Sequence, residues 1–141
     1  MIRPAKPTDF EHIYSLLQQL WSEKILSKNK INGIYRHLLQ RKDSINLVFT
    51  IDNKVVGFSS VELREDFHIQ DLTGFMSVLI VDKNVRNKGI GSKLLKQIII
   101  RCKKAGCKKL KFTSNFKRKR THRFYESLGF QKAHYLFWKD F

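Results

Sequence analysis

The stretch GFMSVLIVDKNVRNKGIGSKLLKQIIIRCKKAG, residues 74–106, constrains the fold more than any other. An apolar run ends at Val81, and from Ile90 onward Leu94, Leu95, Ile98, Ile99 and Cys102 recur on one helical face. Lys93, Lys96, Gln97, Arg101 and Lys104 fill the opposite face, and Gly106 stands where a left-handed C-terminal cap is expected. A strand that feeds through a glycine turn into an amphipathic helix must bring that helix back across a sheet to bury its apolar side. The chain is therefore expected to be α/β, with at least one crossover.

The flanking segments extend this pattern. Thr8 and Glu11 have capping-box spacing, and Ile13, Leu16, Leu17, Leu20 and Trp21 follow at helical intervals. INGIYRHLLQ reads as a second helix, and INLVFTIDNKVVGFSSVEL as two antiparallel strands turning at Asp52 and Asn53, residues that tolerate positive φ. KKLKFTS reads as a strand, KRTHRFYESL as a helix closed by Gly129, and HYLFWKDF as a final strand. No linker, repeat or low-complexity tract interrupts the sequence, which predicts a single domain over 1–141.

A hydrophobic share of 42% supports a packed core rather than disorder, and no apolar run reaches the length of a membrane span. Lys and Arg number 28 against 12 Asp and Glu, a net charge of +16 that favours a polyanionic partner such as a nucleotide or nucleic acid. The start, MIRPAKPTDF, lacks a secretory signal, and two cysteines form no disulfide framework; a cytoplasmic location is expected. Cys102 and Cys107 have no neighbouring histidine in the sequence, so no metal site is expected.

The turn VRNKGIGSK joins a strand end to a helix start, where unpaired backbone N–H groups and the helix dipole converge on an anion. Gly89 and Gly91 permit close approach of phosphate, and Arg86 and Lys88 add charge; the same glycines also suit a tight connection with no ligand. A single residue between them excludes the P-loop, and Leu94 stands where the dinucleotide fingerprint needs its third glycine.

VDKNVRNKGIGSKLL resembles the acetyl-CoA signature of the GNAT superfamily of N-acetyltransferases, Arg/Gln-x-x-Gly-x-Gly/Ala, through Arg86, Gly89 and Gly91. THRFYESLGF is similar to the later helix-to-strand motif of the same family, matched by Phe124, Tyr125, Leu128, Gly129 and Phe130. IRPAKPTDFEHI and LFWKDF resemble its first and last elements. The resemblance implies a mixed, mostly antiparallel sheet flanked by about four helices, with a splayed cofactor cleft. Acetyl-CoA, the acetyl donor, is then expected to pair its pantetheine arm with Leu79, Ile80 and Val81 and to place its pyrophosphate on Arg86, Asn87, Lys88, Gly89, Ile90, Gly91 and Ser92.

Acetyl transfer to a primary amine needs an acceptor for the amine proton, a donor to the oxyanion and an acid for the leaving thiolate. The resemblance assigns the acid to Tyr125, which also reads as an aromatic packed beside Phe124. Relatives often carry the base at the position of Phe75, so the base role passes to Glu62, ahead of Asp71. Arg118 replaces an asparagine that touches the cofactor in relatives, and joins Phe124 in the expected cofactor set.

The expected function is acetyl transfer from acetyl-CoA to a primary amine of a small molecule or peptide by direct attack in a ternary complex. A +16 field disfavours polyamine acceptors unless Glu62, Glu65, Asp66 and Asp71 gather into an acidic mouth. The alternative is a nucleic-acid-binding module built on the basic residues of 108–123, with Phe116 and Phe124 interleaved. No membrane partner is expected, and a homodimer is compatible with the pattern.

Overall fold

A computed structural model describes residues 1–141. It contains two compact units, residues 1–111 and 112–141. The first holds β1 (Ile2–Pro4), α1 (Phe10–Leu20), α2 (Lys28–Gln40), β2 (Ser44–Ile51), β3 (Lys54–Asp66), β4 (Asp71–Val81), α3 (Ile90–Lys104) and β5 (Lys109–Lys111). Its five strands run in sequential order; β1 to β4 are antiparallel, and β5 lies parallel to β4 after the α3 crossover. No helix is long and apolar enough to cross a membrane.

Each face of the sheet carries its own helices. Phe10, Ile13, Leu16 and Leu17 of α1 and Tyr35 of α2 pack on Val48, Phe58, Val78 and Ile80. Across the sheet, α3 buries Ile90, Leu94, Leu95, Ile98 and Cys102, the face expected from its periodicity. Gly57 on β3 admits α3 closely, since a Cβ there would lie 2.9 Å from Leu94 Cδ1. The β2–β3 hairpin turns at Asp52 (φ 48°) and Asn53 (φ 62°), the positive-φ pair that the sequence predicts.

At the N-terminus the expected Thr8–Glu11 capping box gives way to Asp9. Its carboxylate takes two Arg3 hydrogen bonds of 2.8 Å each and the Lys6 N–H at 2.8 Å, while Glu11 pairs with Lys28. A charged, doubly bonded acceptor outcompetes a hydroxyl cap.

The second unit contains α4 (Lys119–Ser127), ended by Gly129 with φ +88°. Phe112, Tyr125 and Phe130 form an aromatic cluster with centroid separations of 4.4, 5.0 and 6.0 Å. The expected final strand, HYLFWKDF, does not form: residues 131–141 carry no regular structure and are exposed. A strand exists only with a hydrogen-bonded neighbour, which a β-rich composition does not supply. The strand expected over KKLKFTS shortens to β5 for the same reason, because β4 offers partners only to residues 109–111.

Candidate active site

The glycine turn leaves several amides unpaired. Asp82 Oδ1 accepts from Asn84 N at 2.9 Å and opens a short turn over Lys83–Val85. The chain then passes through left-handed conformations at Asn87 (φ 63°) and Gly89 (φ 76°) into α3. The first helical bond runs from Lys93 N to Gly89 O at 3.0 Å, so the N–H groups of Ile90, Gly91 and Ser92 precede the hydrogen-bonded ladder. No side chain caps them and no acidic residue stands in the first turn. Arg86 folds back on the strand end, its Nε donating to Val81 O at 3.0 Å. A Cβ built on Gly91 meets nothing closer than Val81 Cγ2 at 3.7 Å, so the surface there is open.

Beside this turn runs an unpaired strand edge. β5 bonds β4 only at Thr73, Gly74 and Phe75, and from Met76 to Val81 the strand pairs with β3 alone. Ser60 pairs with Val78 and Val61 with Met76, so Ser77 is an extra residue on β4. Such a bulge bends its strand, and this one lies two residues beyond the last β5 pair. β4 therefore presents a free edge beyond Phe75, which leads along Leu79, Ile80 and Val81 to the amides of α3.

Register places Ser44, Glu62, Phe75 and Lys111 in one row across β2 to β5, on the face of the sheet that carries α1. Glu62 accepts from Arg41 Nη1 at 2.9 Å and faces Arg64 Nη2 at 3.7 Å. The Arg64 guanidinium lies 4.5 Å and the Lys111 ammonium 5.7 Å from the centre of the Phe75 ring. Lys111 also bonds Asp66 at 2.9 Å, which holds that carboxyl below its ordinary range. Thr73, in register with Arg64, is fully buried with no partner for Oγ1. The floor next to Glu62 is a hydrogen-bonded chain in which Ser60 donates to Asn46, Asn46 to Ser44, and Ser44 to Leu38 O, at 2.7, 2.6 and 2.7 Å.

Three of the four carboxylates expected to gather into an acidic mouth stand beside cations. Glu62, Asp66 and Asp71 each lie within 4.0 Å of a cation, Asp71 reaching Lys108 at 3.9 Å. Two cations of the 108–123 cluster, Lys108 and Lys111, are thereby engaged with carboxylates.

In the second unit Tyr125 packs against Phe112 and Phe124, with centroids 4.4 and 5.4 Å away. Burial pushes its phenol above the ordinary value of 10, the nearby Arg118 opposing in part, so the neutral O–H form persists. Arg118 is the N-cap residue of α4. Both cysteines are buried, and burial pushes the Cys102 thiol up to about 12.

The structure thus brings Leu79–Val81 together with residues 86–92, and puts Glu62 beside Phe75. Sequence reasoning missed Arg41 and Arg64 as partners of Glu62, and Lys111 as a neighbour of Phe75. Glu62-x-Arg64 at strand spacing was the available signal.

Comparison with known proteins identifies the lineage. A profile described as the acetyltransferase (GNAT) family matches residues 10–130. The chain belongs to the GNAT acetyltransferase family. Its members are acyltransferases whose donor is acetyl-CoA, and this chain is such an enzyme. It is 27% identical to an aminoalkylphosphonate N-acetyltransferase of Salmonella typhimurium over 98% of its length and 89% of the relative. Identity to glucosamine 6-phosphate N-acetyltransferase 1 of Dictyostelium discoideum is 24%, over 77% of this chain and 71% of that one. In fold it is similar to a transcriptional regulator from Bacillus halodurans, with a TM-score of 0.92 at 24% identity, covering 100% of this chain and 99% of that one. For this GNAT acetyltransferase, the unpaired β4 edge and the amide-rich turn fit an extended donor with an anionic segment.

Proposed function

We propose that residues 1–141 act as one N-acetyltransferase domain that moves an acetyl group from acetyl-CoA to the primary amine of a small molecule bearing a phosphate or phosphonate. The observation that carries the donor half is the β4 edge, unpaired from Met76 to Val81 and leading to the uncapped amides of Ile90, Gly91 and Ser92. Leu79, Ile80 and Val81 hold the donor's extended arm, and Arg86, Asn87, Lys88 and the following amides hold its pyrophosphate. Phe124 and Arg118 complete the cofactor set by motif.

When bound, acetyl-CoA supplies a thioester carbonyl open to attack by a free amine. Glu62 takes the amine proton through water, and a backbone N–H on the free edge of β4 donates to the developing oxyanion. Tyr125, kept protonated by burial, donates to the departing thiolate. Direct attack is favoured over an acyl-cysteine route because burial keeps both thiols in their unreactive neutral form.

The acceptor class rests on three supports. Both named relatives take amines that carry phosphorus oxyanions. The net charge of +16 attracts anions. The carboxylates around Glu62 are neutralised by cations, leaving no well for a polyamine. Thiol release across a panel of an aminoalkylphosphonate, an amino sugar phosphate, a peptide N-terminus and spermidine tests this. The anionic amines should rank first; spermidine ranking first overturns the acceptor class but not the transferase. Retention on RNA with no thiol release from any amine would favour the nucleic-acid module.

A further inference from the structure

One cation beside Glu62 and Phe75 makes no hydrogen bond. Asp43 holds Arg41 through Nε and Nη2 at 2.8 and 2.9 Å, and Arg41 Nη1 donates to Glu62 Oε2 at 2.9 Å. Lys111 bonds Asp66 at 2.9 Å. For Arg64 the one carboxylate oxygen within 4.0 Å is Glu62 Oε1, 3.7 Å from Nη2 and beyond hydrogen-bond reach. The Arg64 guanidinium lies over the Phe75 ring, 4.5 Å from its centre, a contact that leaves its N–H groups open.

We propose that Arg64 selects the acceptor: its guanidinium binds the phosphonate or phosphate oxygens of the ligand while the amine faces Glu62 Oε1. This rests on the acceptor class proposed above and names the residue that reads it. The guanidinium fork matches an oxyanion that presents two oxygens side by side. An ion pair at 3.7 Å is weak, so Arg64 exchanges Glu62 for the ligand at little cost. Arg41 keeps Glu62 in place through that exchange by its bond to Oε2. Phe75 is the last β4 residue bonded to β5, so this seat borders the free edge that begins at Met76 and is assigned to the donor.

Spacing sets a length rule for the acceptor. Glu62 Oε1 and Arg64 Nη2 stand 3.7 Å apart, so a ligand that meets both must carry its amine close to its anion. With a hydrogen bond of about 2.8 Å at the anion and one water between the amine and Glu62, spacers of about one to three carbons meet both groups. A spacer of about six carbons carries the amine past Glu62.

Steady-state kinetics with acetyl-CoA tests this on aminoethylphosphonate and on ethanolamine, the same amine with an uncharged end. Arg64→Gln should raise the KM for aminoethylphosphonate by about ten- to a hundredfold, keep kcat within about threefold and leave the KM for acetyl-CoA unchanged. The KM for ethanolamine should move by less than about threefold. Arg64→Lys, which keeps the charge and loses the fork, should fall between the natural chain and Arg64→Gln. If Arg64→Gln prefers the phosphonate as strongly as the natural chain does, the assignment of Arg64 falls alone. An equal rise in KM for both amines, the result of a merely structural role, also overturns it. A natural chain with no preference for the phosphonate overturns the acceptor class and this assignment with it. If Arg64→Gln fails to fold, a series of aminoalkylphosphonates on the natural chain decides. Its kcat/KM should fall at least about tenfold between spacers of about two and about six carbons, and a flat series overturns the proposal.

Discussion

Glu62 on β3 and Phe75 on β4 stand directly opposite each other in the sheet. The GNAT resemblance expects a basic glutamate at the position of Phe75, and Glu62 is the carboxylate directly across from it on the same face. Glu62→Gln should lower kcat by about ten- to a hundredfold, at or below the lower end of the range for general base catalysis, because the proton travels through water. Stabilisation by acetyl-CoA should be unchanged in a melting experiment. Full activity in the variant would remove Glu62 from the chemistry.

Tyr125→Phe should reduce kcat by about ten- to a thousandfold with little change in the KM for acetyl-CoA. Since burial raises the Tyr125 phenol above 10, the acid form persists with rising pH, and natural enzyme should show no alkaline loss of kcat below that value. An alkaline limb centred well below it would assign the donor role to another group.

Gly91→Glu should abolish the stabilisation by acetyl-CoA, which for the natural chain is about 2.7 kcal/mol at a hundred times the dissociation constant. The new Cβ meets only Val81 Cγ2 at 3.7 Å, so the fold should survive while a carboxylate occupies the anion position. Undiminished stabilisation would move the pyrophosphate elsewhere.

The parts of this architecture fixed by local chemistry were readable in the sequence. Asp52–Asn53 had to turn a hairpin, and the apolar stripe from Ile90 to Cys102 had to face a sheet. The GNAT motifs pointed to residues 86–92 as the expected donor turn. What stayed hidden depends on partners distant in sequence: Arg41 reaches Glu62 only because α2 delivers it to the start of β2, and Lys111 reaches Phe75 only through the α3 crossover. HYLFWKDF failed as a strand because pairing, unlike periodicity, belongs to two segments. Asp9 displaced the Thr8–Glu11 cap because Arg3 approaches from β1.

That Arg3–Asp9 pair should govern acid stability. Its hydrogen bonds hold the Asp9 carboxyl below the ordinary 3.8, so the pair's contribution is complete above that value and disappears as pH falls through the lowered one. Asp9→Asn should cost about 1.5–3 kcal/mol at neutral pH, measured by urea unfolding, and should flatten the decline below pH ~4. An equally steep decline in the variant would assign it to other carboxylates.

Simultaneous quantification of free thiol and N-acetylated product, with acetyl-CoA and an aminoalkylphosphonate as substrates, tests the central claim most directly. One thiol should appear for each N-acetylated amine, neither forming when either substrate is omitted. Thiol release that ignores the amine, or no N-acetylated product from any primary amine tried, would contradict the assignment.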